Sequence, residues 1–105
     1  MNRVKASLKE IQDNKSWIKD HELERDGIQK LMNEIDGKIN ERVANPRYYT
    51  ENRSKIKKLR NAWSVLYDMK NTKISYIHQL VMANKGIRTG MVTDMAMDSI
   101  EKKAV

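Results

Sequence analysis

Between Ile56 and Leu80 large apolar side chains fall on the a and d positions of one unbroken heptad register, three or four residues apart at Ile56, Leu59, Trp63 and Leu66 and again at Ile77 and Leu80. A stripe of that period is buried when one face of an α-helix lies along another helix. Upstream, Val4, Leu8, Ile11, Ile18, Ile28, Met32, Ile35, Ile39 and Val43 are mostly three or four residues apart. The two stretches meet at Asn45-Pro46, where helical geometry is disfavoured before the proline and the hydrogen-bond ladder cannot continue through it. An all-α antiparallel hairpin, coiled-coil-like, is the expected fold.

The expected elements are helix 1 over 3–44, a turn at 45–50, helix 2 over 51–85, a loop at 86–91 and a short third helix over 92–103. Thr50 is the expected N-cap of helix 2, with Glu51 favourable to its dipole. Gly86, just after Lys85, reads as a helix stop. Val92, Met95, Ala96 and Ile100 then give the short segment an amphipathic pattern. One proline, four glycines and no phenylalanine in 105 residues argue the same way, against a turn-rich sheet protein and for a single helical domain.

Two interruptions mark the stripes. Lys70 and Lys73 occupy seam positions in helix 2, and helix 1 carries Asp20, Glu22, Glu24 and Asp26 around a lone Leu23. Folding back near residue 48 sets Lys70 opposite Asp26 and Lys73 opposite Leu23, between Glu22 and Glu24, so the two defects cancel. The other reading is that both gaps are solvated and helix 1 breaks there. The same register sets Gly27 against Met69 and Gly37 against Leu59, as if each glycine admitted a bulky partner. Helix 2 also has apolar residues beyond what one seam can use, with Tyr67, Ile74 and Val81 on one flank and Ala62, Met69 and Tyr76 on the other. Either the tail segment or a second copy of the chain is expected to cover them, the latter as a homodimeric four-helix bundle.

Charge is unevenly placed. Residues 46–85 account for the whole net charge of +7, since residues 1–45 and 86–105 are each balanced. Most of it lies in Arg47, Arg53, Lys55, Lys57, Lys58 and Arg60, in and after the turn. Cations in the first turns of a helix oppose its dipole, so a purely structural sequence favours acids there. Arg53, Lys57 and Arg60 share one flank of the seam, and Ser64, Asn71, Ser75 and His78 continue it as a polar track. Beside them, Tyr48 and Tyr49 are placed either to stack on unpaired bases or to close the hairpin core. Nucleic acid or another polyanion is the first partner expected of this patch, an acidic protein surface the second.

Other chemistries find little support. No cysteine excludes a thiol nucleophile, a disulfide framework and a cysteine zinc site. His21 and Glu24 have the spacing of helical metal ligands, but Lys70 and Lys73 are expected opposite them and would repel a cation. No glycine-rich phosphate loop or buried carboxylate pair suggests catalysis, so no enzyme, cofactor or metal is expected. The stretch from Gln79 through Gly86 to Val92 superficially resembles a helix-turn-helix, but its spacing is one residue short and its second helix lacks base-reading side chains. Neither a signal-peptide run nor a window of about 18 apolar residues is present, and a cytoplasmic protein without membrane contact is expected.

The leading expectation is therefore a non-enzymatic protein that binds nucleic acid or a nucleoprotein at the hairpin tip. The alternative is a protein-interaction module, such as a small adaptor or inhibitor from a phage or mobile element that docks on a host complex. Met91, Met95 and Ile100 are its candidate docking residues.

Overall fold

A computed structural model describes residues 2–45, 47 and 52–104, with side chains over 3–45, 47 and 52–99. Two helices form a hairpin: α1 (Asn2–Val43) and α2 (Arg53–Ala104). Contacts divide the chain into two compact units, Met1–Asp20 with Tyr76–Val105, and His21–Ser75. In each, a stretch of α1 packs on a stretch of α2.

Heptad positions decide what is buried. Within His21–Ser75 the seam takes His21, Arg25, Ile28, Met32, Ile35, Ile39 and Arg42 from α1, and Ile56, Leu59, Trp63, Leu66, Lys70 and Lys73 from α2, all buried or half-buried. Ile56, 1% exposed, and Met32, 3% exposed, are its most enclosed side chains. Trp63 stacks on Tyr67 with ring centroids 5.4 Å apart and an interplanar angle of 10°.

The charged gaps cancel in a modified form. Lys73 pairs with Glu24, as the register implies, while Lys70 Nζ donates to Gln29 Oε1 at 2.7 Å. Lys70 thus does not meet Asp26, whose carboxylate is held by the neighbouring Arg25 at 3.0 Å. Leu23 is 64% exposed, because His21 and Arg25 take the inward heptad positions instead. Helix 1 runs through this stretch unbroken.

In the other unit the seam is Val4, Ser7, Ile11, Asn14 and Ile18 against Ile77, Leu80, Asn84, Ile87, Met91 and Asp94. Asn84, 3% exposed, accepts a hydrogen bond on Oδ1 from Asn14 Nδ2 at 2.9 Å, and its own Nδ2 donates to the Ile11 carbonyl at 3.4 Å. Both amides are thereby partnered across the seam.

Three expectations are corrected here. No loop interrupts 86–91 and no separate third helix follows, since α2 is one helix of 52 residues. A glycine stop characteristically takes a left-handed conformation just past the helix end, and no described glycine has positive φ. Helical geometry brings Thr89 Oγ1 to the Lys85 carbonyl at 3.0 Å and Thr93 Oγ1 to the Thr89 carbonyl at 3.1 Å. Ile87 and Met91 supply the reason to continue, since both fall on the heptad seam and are half-buried there. The helix-turn-helix likeness loses its turn by the same observation.

The glycines are the second correction. A Cβ at Gly27 or Gly37 would meet nothing within 4 Å, so no bulky partner packs against either position. The third concerns the apolar flanks. A tail that continues α2 does not fold back over them, and Tyr67, Met69, Ile74, Tyr76 and Val81 remain 43–47% exposed. The N-cap expected at Thr50, with Glu51, lies outside the described residues.

Candidate nucleic-acid interface

The polypeptide leaves α1 through a tightened last turn, in which Ala44 N donates to the Asn40 carbonyl at 3.0 Å and Asn45 N to the Arg42 carbonyl at 3.2 Å. Asn45 Oδ1 then accepts from Arg47 N at 2.9 Å, an Asx turn that directs the chain away from the helix. Where α2 begins, Asn52 is 9% exposed and accepts on Oδ1 from an Arg42 guanidinium nitrogen at 3.2 Å. This bond ties the end of α1 to the start of α2.

Around that tie the cations sort into two sets. Lys55 and Lys58 face an open cleft of about 610 Å³, whose lining also includes Lys38, Glu41 and Arg42 of α1 and Leu59 of α2. Arg53, Lys57 and Arg60 line a smaller hollow of about 260 Å³ with Ile56 and Asn61. On α2 the two sets lie on opposite flanks of the seam, roughly 160° apart at 100° per residue. A patch that is continuous in sequence is therefore split in space.

Arg53, Lys55, Lys57, Lys58 and Arg60 are all exposed, as are Lys38, Ser64 and Asn71. Among the described residues, no carboxylate lies within ion-pairing distance of these five α2 cations or of Lys38. Arg47 is also exposed. Tyr48 and Tyr49 lie outside the described residues, so their stacking role rests on sequence alone. Lys38 and Arg42 were not singled out in the sequence, because the charge of residues 1–45 is balanced. Folding back is what carries them to the cleft.

Elsewhere the seam uses its polar groups internally. Glu24 is held below the usual carboxylate range, first by the hydrogen bond from Lys73, then by that ammonium's charge. The carboxylate considered as a metal ligand is thus engaged by a cation. Among the candidate docking residues, Met91 is half-buried in the seam, Met95 is 50% exposed, and the side chain of Ile100 lies outside the described residues. Among the described residues no helix is long and apolar enough to cross a membrane.

Fold and site together define an all-helical hairpin with a basic tip. No family model, curated protein or solved structure matches this chain.

Proposed function

We propose that this protein is a non-enzymatic helical hairpin that binds nucleic acid, alone or within a nucleoprotein, through the cations of its tip. The observation that carries the reading is the set of exposed cations Arg53, Lys55, Lys57, Lys58 and Arg60, with no carboxylate among the described residues within ion-pairing distance of them. Arg53 and Lys55 stand in the first turn of α2, where the dipole disfavours positive charge by a few tenths of a kcal/mol each, a cost that an anionic partner would offset. Few side chains beside them can read base edges, so binding is electrostatic and weakly sequence-specific.

The test is affinity for DNA and RNA, single- and double-stranded, as a function of salt. About five phosphate contacts give a log–log slope of roughly −3.5 to −4.5. Charge reversal at Arg53, Lys57 and Arg60 is expected to abolish binding. A flat salt dependence, or no binding at low salt, removes the reading in favour of a protein partner. That partner would then be the same in pull-downs from nuclease-treated and untreated lysates.

The exposed flanks of α2, Tyr67 and Ile74 on one side and Met69 on the other, support association of two hairpins, because a pair of copies covers what one seam leaves in water. Sedimentation equilibrium reads this directly, and a monomer at all concentrations would rule it out.

A further inference from the structure

The arrangement of the tip says more than that it is basic. A single strand lying along one face of the hairpin reaches one set of cations, and those on the opposite face stay in water. Both faces are occupied here: Lys38, Lys55 and Lys58 on the first, with Arg42 deeper in the same cleft, and Arg53, Lys57 and Arg60 on the second. Glu41 is the carboxylate on the lining of the first cleft, and four cations outnumber it.

Measured from face to face, a pair of helices lying side by side is one helix thick, about 10–12 Å with side chains. The major groove of B-form DNA is about 12 Å wide and is bordered by a phosphate backbone on each side. The major groove of A-form RNA is deep and narrow, and does not admit such an element. Building on the nucleic-acid reading above, we propose that the tip of this hairpin enters the major groove of duplex DNA, with one cation set on each bordering strand.

Lys38, Lys55 and Lys58 then contact one backbone, and Arg53, Lys57 and Arg60 the other. Register on the duplex comes from straddling the groove and requires no base contact. Discrimination between duplex and single strand follows, because only a duplex offers two backbones at that separation.

The experiment is fluorescence anisotropy of the intact protein with a 20-base-pair DNA duplex and with either of its strands, titrated with salt. Six phosphate contacts predict a log–log slope of about −5.4 on the duplex. The variants K38Q/K55Q/K58Q and R53Q/K57Q/R60Q are each expected to bring it to about −2.7, and to weaken duplex binding at least tenfold. All substitutions are at exposed positions, and circular dichroism checks that the helices remain. Should a triple variant lose helicity, K58Q and R60Q, one from each face, are each expected to lower the slope by about 0.9.

If one face can be neutralised without effect, or if the single strand binds as tightly as the duplex, groove entry is overturned while nucleic-acid binding stands. Absence of binding to every probe overturns both.

Discussion

Asn14 and Asn84, separated by 70 positions in the chain, are joined side chain to side chain at 2.9 Å within the seam between α1 and α2. An amide pair in an apolar seam contributes less to stability than two leucines, but only one alignment of the helices satisfies it. Sliding either helix by a heptad parts the two amides and sets Asn14 against Ile77 or Met91.

Asn84→Leu should therefore destabilise the protein by about 1–3 kcal/mol, since Asn14 and the Ile11 carbonyl each lose a partner. The double variant Asn14→Leu/Asn84→Leu should regain that loss or exceed it, while giving up the unique alignment. Urea denaturation measures the first effect, and doubled amide resonances in an NMR spectrum report the second. A double variant as unstable as the single one would show that the pair does not act as a unit.

Ile56 is 1% exposed at the start of α2, beside the tie between Arg42 and Asn52. Ile56→Ala should cost about 2–5 kcal/mol, the range for a buried isoleucine whose cavity collapses only in part. The neighbouring Lys57→Gln should change thermal stability by less than about 0.5 kcal/mol, as an exposed residue. Comparable losses at the two positions would contradict the seam.

Replacing Gly27, Gly37, Gly86 or Gly90 by alanine should raise stability, by roughly 0.5–1 kcal/mol each, because every one is helical and an added Cβ meets no atom within 4 Å. The test is discriminating at Gly86 and Gly90. Were a turn present there, alanine would destabilise instead.

The Glu24–Lys73 pair adds a dependence on acid. Because the folded-state carboxyl sits below its ordinary value, the pair's contribution is complete above about pH 4.3 and is lost as pH falls through the depressed value. Thermal midpoints of the native protein and of Lys73→Met should therefore converge as pH is lowered through that range. A difference independent of pH would place the role of Lys73 elsewhere.

The hairpin itself was legible in the sequence, because Pro46 divides two helical stripes and the complementary gaps at Glu24 and Lys73 align them. The length of α2 was equally present in the residues: Asn84, Ile87, Met91 and Asp94 continue the register of Leu80 without a slip. Gly86 and Gly90 obscured it, since a local cost of about 1 kcal/mol each reads as a stop until the burial of Ile87 and Met91 is set against it. The polar identity of seam positions 14, 21 and 84 hid the pattern further, because an apolar count passes over them. At the tip, the α2 cations were visible and their division into two faces follows from helical phase. Lys38 and Arg42 were not, because nothing local distinguishes them from the solvated charges around them.

The tie between Arg42 and Asn52 spans 10 residues, the Gln29–Lys70 bond 41, and the Asn14–Asn84 bond 70. That ladder of separations has a kinetic meaning. Contact between the chain ends at the outset would require closing a long loop, whereas pairing that starts at the turn closes a short one, and each later rung extends it. Folding should thus run as a zipper from the turn outward, with the basic end assembled first and the asparagine rung acting late, as a proofreading step that rejects hairpins zipped out of phase.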